Sequence, residues 1–201
     1  MKFATFTTSN NKLPRYGFKK GNYIVDILHL SKFFEEKNKN ERFINLPSSL
    51  KSCLKNWKEN FEIFKKLDKA LINENIDSTT KEGFRIAQLE SELNFLAPVP
   101  NPQSFRDFYA FEQHVRSARK LRGLDMHPDW FRIPIFYFSN AAAIYGHGAT
   151  IPYPFGTKEL DFELEFAVII ANGGSNINQK DANNYIAGYT VCNDWSARDL
   201  Q

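Results

Sequence analysis

Residues 160–170 read LDFELEFAVII, and no other segment constrains the fold as much. In an extended strand successive side chains point to opposite faces. Asp161, Glu163 and Glu165 therefore share one face, and Phe162, Leu164 and Phe166 the other. The run then turns wholly apolar at Val168, Ile169 and Ile170, the pattern expected of a strand buried on both sides. A row of carboxylates leading into such a run repels itself, and a buried charge that loses its partner costs about 3–5 kcal/mol. Two arrangements relieve this. The acidic face of a half-exposed antiparallel strand can meet water, or basic side chains or a hard cation such as Mg²⁺, Mn²⁺ or Ca²⁺ can neutralise it. The segment by itself leaves both open.

The rest of the chain divides near residue 95, where three prolines in five positions (98, 100 and 102) force an extended path. Before it, residues 3–8 and 22–27 are predicted strands with a turn at Gly21, and residues 28–37 a short helix. From Leu50 the apolar positions Leu50, Cys53, Leu54, Trp57, Phe61, Phe64 and Leu67 recur in three- and four-residue steps, the signature of one helix with an apolar stripe. Ser48 and Ser49 precede it and suit its N-terminus. This stripe is core, and residues 1–95 carry no recognisable chemistry. After the boundary, residues 107–122 have helical spacing, residues 133–138 a buried-strand pattern, and residues 160–171 a long strand closed by Gly173 and Gly174. A short helix is expected over 181–185, a strand over 185–193, and a helix start near Ser196. The fold class is thus α+β: a small N-terminal α+β domain, 1–95, and a second, strand-rich domain, 96–201.

Composition excludes several function classes. With 19 Phe, 8 Tyr and 3 Trp the chain can build a core and is not a disordered segment. A net charge of +3, from 26 basic and 23 acidic residues, is too small an excess to indicate a nucleic-acid or membrane partner. Cys53 and Cys192 are far apart and form no Cys-x-x-Cys spacing, which speaks against a disulfide framework or zinc site. With no apolar leader in residues 1–10 and no run near 18 apolar residues, a cytoplasmic setting is expected.

Two further segments bear on the acidic strand. In residues 107–114, DFYAFEQH, a helix would set Asp107 and His114 seven residues apart on one face, a carboxylate beside a potential base. A lone His is otherwise a surface or hydrogen-bonded residue. In residues 188–201, GYTVCNDWSARDLQ, acid, amide and guanidinium groups cluster at a strand end. There Asp194 could equally be a helix N-terminal cap.

Taken together, residues 106–114, 161–165 and 193–201 resemble the fumarylacetoacetate hydrolase family in order and spacing, over about residues 96–201. The resemblance implies an incomplete mixed β-roll catalytic domain and a hydrolase that cleaves a carbon–carbon bond in small 2-oxo or 1,3-dioxo acids of the fumarylacetoacetate or acylpyruvate type, as in aromatic amino acid catabolism. It implies one divalent cation, Mg²⁺ or Ca²⁺ with Mn²⁺ as a substitute, on Asp107, Glu163, Glu165 and Asp194. His114 resembles the base that activates water. Tyr109, Tyr137, Arg198 and Gln201 match positions that hold substrate oxygens, as does Arg122, with Arg119 a competitor one turn away. Family members continue beyond Gln201, so the resemblance also implies a truncated chain whose strand at 166–170 is left uncovered. A homodimer or a complementing C-terminal half would then be its protein partner. The alternatives are an isomerase or decarboxylase of 2-oxo acids on the same fold, or a catalytically incomplete metal- or partner-binding fragment.

Overall fold

A computed structural model of the chain describes residues 1–37 and 46–201. Its contacts form two compact units, one of Met1–Pro100 with Tyr145–Gln201 and one of Asn101–Ile144.

The first unit opens with β1 (Phe3–Thr8), β2 (Arg15–Lys20) and β3 (Tyr23–Asp26). The helices α1 (Ile27–Lys37), α2 (Leu50–Cys53) and α3 (Trp57–Leu71) follow, then β4 (Ala87–Leu89) and β5 (Leu93–Leu96). The strands make one antiparallel sheet in the order β4-β3-β2-β1-β5. Strand β2, reading RYGFKK, has no period-two alternation, so nothing local announces it. It forms because Gly21 takes a positive φ of 58° and folds β3 back along it.

The apolar stripe from Leu50 is core, as expected: Leu50, Cys53, Phe64 and Leu67 are buried, with Trp57 and Phe61 packed at the margin. It is not one helix. A tight turn at Leu54–Asn56 separates α2 from α3, and the buried Asn60 amide donates to the Cys53 carbonyl at 2.9 Å, satisfying an acceptor the break would leave open. The Ser49 hydroxyl accepts from the Ser52 N–H at 3.1 Å, the cap expected there. Burial pushes the Cys53 thiol up to about 11, so it stays protonated and is no nucleophile.

A charged group, Asp26, is buried in the first unit. Asp26, 1% exposed, receives both arms of the Arg15 guanidinium, one of them at 2.8 Å, and the backbone N–H of His29 at 3.0 Å. His29 stacks on Phe84, and burial holds its imidazole below the ordinary 6.5 despite the pull of Asp26. The folded chain therefore resists a proton that the unfolded chain accepts. This contribution to stability is present above about pH 6.5 and is lost as pH falls through the lower folded value. Thermal melts from pH 7.5 down to 5.5 should show a steeper loss for the wild type than for His29→Gln. Equal slopes would remove His29 from the account.

The second unit holds β6 (Phe105–Phe108), α4 (Glu112–Leu121) and β7 (Phe136–Ser139). The helix expected over 107–122 begins only at Glu112. Residues 105–108 pair instead with 136–139, Asp107 opposite Tyr137, and the Tyr109 N–H extends the ladder to the Ile135 carbonyl at 3.0 Å. The strand expected over 133–138 exists but is not buried: Phe136, Tyr137 and Phe138 are 38%, 53% and 69% exposed.

The chain rejoins the first unit through the loop at Gly146. A Cβ on Gly146 would lie 2.1 Å from the Phe95 carbonyl oxygen and 2.6 Å from the Leu96 Cα, so only glycine allows this approach. Gly146→Ala should lower stability by about 1–3 kcal/mol, the range for overpacking, read as a lower urea midpoint. An unchanged midpoint would mean that the loop does not rest on β5.

Four strands close the chain: β8 (Leu160–Asp161), β9 (Leu164–Ile170), β10 (Ile186–Asn193) and β11 (Ser196–Ala197). Strand β9 pairs antiparallel with β10, and β8 with β11. The long strand expected over 160–171 is therefore two strands, and the helix expected near Ser196 is a strand. The short helix over 181–185 is present as a 3₁₀ segment, Gln179–Tyr185. Burial alternates along 161–170, with Asp161, Glu163 and Glu165 half-buried and Phe162, Leu164 and Phe166 exposed. The expected two-sided burial of 168–170 is not found. Val168 is 41% and Ile170 58% exposed, because among the described residues β9 has only β10 as a neighbour. Phe166 instead stacks on Tyr189 of β10, ring centres 5.1 Å apart.

Candidate metal centre and substrate-binding residues

Three of the four candidate carboxylates come from two segments that the backbone ties together. The Asp194 N–H donates to the Glu163 carbonyl at 2.9 Å, and the Glu163 N–H to the Asn193 side-chain oxygen at 3.0 Å. Glu165 lies opposite Cys192 in the β9–β10 ladder, and Ser196 opposite Asp161 in the β8–β11 ladder. The Arg198 N–H continues the pairing to the Glu159 carbonyl at 2.9 Å. Residues 159–165 and 193–198 thus run side by side, with Glu163, Glu165 and Asp194 all at half-buried positions. Asp194 does not cap a helix, since the strand β11 follows it.

The Arg198 guanidinium spans the seam. Its Nε donates to Asp161 Oδ2 at 3.0 Å, and its Nη1 donates to Glu163 Oε1 and to Gln201 Oε1, the latter at 3.0 Å. This pairing holds the Asp161 carboxyl below the ordinary carboxylate range, and the carboxylates of Glu163 and Asp161 raise Arg198 in turn. The turn beyond is set by Asp199, whose carboxylate accepts from the Thr157 hydroxyl and, at 2.8 Å, from the Lys158 N–H. Those bonds, the hydroxyl's foremost, keep its carboxyl low as well.

The remaining candidates lie in the second unit. Tyr137 donates its hydroxyl to Asp107 Oδ2 at 3.0 Å, directly across the β6–β7 ladder. The Tyr109 ring stands edge-on to His114, centroids 5.5 Å apart at 87°. His114 lies exposed on α4, whose one buried residue is Val115. Strand geometry, not a shared helix face, is what positions Asp107. Arg122 is exposed at the end of α4, and the competing Arg119 donates its guanidinium to the Asp125 carbonyl. Four candidates thus form two contacts in this unit, Asp107 with Tyr137 and Tyr109 with His114.

The donor set suits a hard divalent ion, because carboxylate oxygens are what Mg²⁺, Ca²⁺ and Mn²⁺ accept. The seam supplies such donors from both of its segments. The side chains are not gathered, however. Among the described residues no group of three or more His, Cys, Asp or Glu is placed to hold a metal ion. Glu163 is directed to Arg198.

Comparison with known proteins settles the family. The sequence model described as fumarylacetoacetate (FAA) hydrolase C-terminal matches residues 103–201, which include all four candidate carboxylates. Residues 103–201 belong to the fumarylacetoacetate hydrolase family. Among curated relatives, the fumarylacetoacetase of Oryza sativa subsp. japonica is 33% identical over 131 residues, which are 55% of this chain and 30% of that protein. The fumarylacetoacetase of Dictyostelium discoideum is 27% identical over 226 aligned positions, which span 99% of this chain and 52% of the relative. A mitochondrial oxaloacetate tautomerase of Xenopus laevis is 32% identical over 118 residues, 55% of this chain and 33% of that protein. The chain thus spans about half the length of a curated relative that it matches end to end.

The fold is shared with a fumarylacetoacetate hydrolase from Exiguobacterium antarcticum. The TM-score is 0.59 at 19% identity, covering 100% of this chain and 58% of that one. It is also shared with a maleylpyruvate hydrolase from Sphingobium sp. SYK-6, solved with manganese(II) and pyruvate. There the TM-score is 0.57 at 16% identity, covering 98% and 60%. The α+β chain is therefore an incomplete copy of the family fold as those proteins carry it.

Three residues at the seam of this family member escaped the sequence reading as site residues: Asp161, Asn193 and Asp199. Asp161 stood in the row with Glu163 and Glu165, and that row was the available signal. Its partner Arg198 lies 37 residues away, a separation that no local spacing announces. No helix of the described residues is long and apolar enough to cross a membrane.

Proposed function

We propose that residues 96–201 are part of a divalent-metal-dependent hydrolase that cleaves a carbon–carbon bond in small 2-oxo or 1,3-dioxo carboxylic acids of the fumarylacetoacetate or acylpyruvate type. The observation that carries the reading is the seam, where backbone bonds align Glu163, Glu165 and Asp194 beside Arg198 and Gln201. Asp107, Glu163, Glu165 and Asp194 would hold the cation, Mg²⁺ or Ca²⁺, with Mn²⁺ as a substitute. That ion supplies Lewis-acid polarisation of a substrate carbonyl.

The chain's own groups do the rest. His114 Nε2 or Nδ1 takes a proton from water, whose oxygen adds to the carbonyl carbon. As that adduct collapses, the carbon–carbon bond breaks and its electron pair passes to the departing enolate carbon. The imidazolium returns its proton there, leaving two smaller acids or an acid and a ketone. Arg198, Gln201, Tyr109, Tyr137 and Arg122 donate hydrogen bonds to the substrate's carboxylate and carbonyl oxygens, and the guanidinium offsets the charge that develops on them.

A second reading has support in the likeness to an oxaloacetate tautomerase. Moving a proton between carbon and oxygen of a 2-oxo acid uses the same donors without attack by water. Assays of an acylpyruvate series, fumarylacetoacetate and oxaloacetate, each with Mg²⁺, Ca²⁺ and Mn²⁺, separate the two. The hydrolase reading expects two carbon fragments from an acylpyruvate or fumarylacetoacetate. Interconversion of oxaloacetate tautomers as the sole reaction would overturn it. The small-molecule acid is the proposed partner, with a second copy or a complementing C-terminal half completing the uncovered strands.

A further inference from the structure

Arg198 pairs with Glu163, the carboxylate assigned above to the cation, and the two demands on that carboxylate compete. Its Nη1 is bonded to Glu163 Oε1, and its Nε to Asp161 Oδ2 at 3.0 Å. Two acid side chains two residues apart repel each other, and a guanidinium fork laid across them cancels that repulsion with directed hydrogen bonds. Its backbone is anchored at Glu159, so it is held at the seam rather than swinging freely. Glu163 is thereby committed to an internal cation, while Glu165 and Asp194 stay on the same half-buried side.

We propose that Arg198 is a built-in counter-cation: it neutralises Glu163 when no metal is bound, and a divalent ion must displace it to load the site. The inference rests on the assignment of Glu163 as a metal ligand. Loading is then an exchange. Glu163 turns from the guanidinium to the metal, Asp161 keeps its bond to Arg198 Nε, and Arg198 Nη1 is freed with Gln201 to face the oxygens of an incoming acid. The metal therefore enters before the substrate, and the anion-binding arm of the site becomes available only once the metal is in.

The experiment is Mn²⁺ affinity, measured on the full chain at low ionic strength from the electron paramagnetic resonance signal of free Mn²⁺, with no turnover required. Arg198→Gln should bind Mn²⁺ roughly three- to fivefold more tightly than the wild type, the upper part of the range for one displaced surface ion pair. Arg198→Lys, which keeps the charge but not the fork, should fall between them. Lys158→Gln removes a nearby positive charge that bonds neither carboxylate, and should change affinity by less than about twofold, the scale of a screened surface charge. Equal or weaker binding by Arg198→Gln, or the same gain from Lys158→Gln, would overturn the exchange while leaving the metal site standing. Wild-type Mn²⁺ binding unaffected by Glu163→Gln, or no binding by any form, would overturn the site assignment and the exchange with it.

Discussion

On the proposed function, replacing His114 with Ala should lower the turnover of the best acylpyruvate or fumarylacetoacetate substrate by about 10²–10⁴-fold, the usual contribution of a positioned general base. It leaves the unfolding midpoint and the Mn²⁺ affinity where they are. The two halves of this expectation have separate grounds. The rate falls because no other imidazole lies in the segments that carry the family pattern. Stability holds because His114 is exposed on α4 and meets the Tyr109 ring only edge-on. Steady-state rates, a denaturant titration and the Mn²⁺ signal on the same preparation check all three. A variant that turned over at the wild-type rate would remove His114 from the chemistry. A variant that also unfolded early would show that the residue supports the helix instead.

Replacing Phe64 with Ala costs about 3–5 kcal/mol of stability, the range for removing a buried aromatic side chain. Phe64 is fully buried on α3, with the rings of Phe3, Tyr16 and Trp57 at 5.5, 6.2 and 6.2 Å. These come from β1, β2 and the start of α3, so the truncation leaves a cavity that no single neighbour can fill. Trp57 fluorescence, isolated by replacing Trp130 and Trp195 with Phe in both proteins and read through a urea titration, reports the transition from within the affected cluster. A loss below 1 kcal/mol would mean that the helices do not pack on the sheet as described. Phe61, on the same stripe but only partly buried, should cost visibly less when truncated.

The two expectations differ in how far the sequence foretells them. The stripe that contains Phe64 was legible because a helix side is written in three- and four-residue steps, and burial of Leu50, Cys53, Phe64 and Leu67 followed. Likewise the alternation over 160–170 put Asp161, Glu163 and Glu165 on one side, and the burial pattern keeps them there. Asp107 was misread because a helix and a strand both accept the string DFYAFEQH. The choice was made by Phe136 and Tyr137, some thirty residues on, which pair with Phe108 and Asp107. Ser196 and Ala197 were misread for the same reason, taken into a ladder by Leu160 and Asp161. The apolar run at 168–170 predicted two covered faces, yet hydrophobicity states only what would gain from burial, and among the described residues β10 alone pairs with it.

The sequence by itself therefore determined the α+β class, the apolar stripe of the N-terminal domain, the side of the strand on which the acids lie, and the family. Each is carried by periodicity or by motifs within a dozen residues. Only the tertiary structure decided that Asp107 meets Tyr137, that Asp194 is bonded to Glu163, and that Arg198 reaches across 35 residues to the Glu163 carboxylate. Such pairings depend on strand register, and register is set by the whole set of competing backbone partners, which no single segment contains.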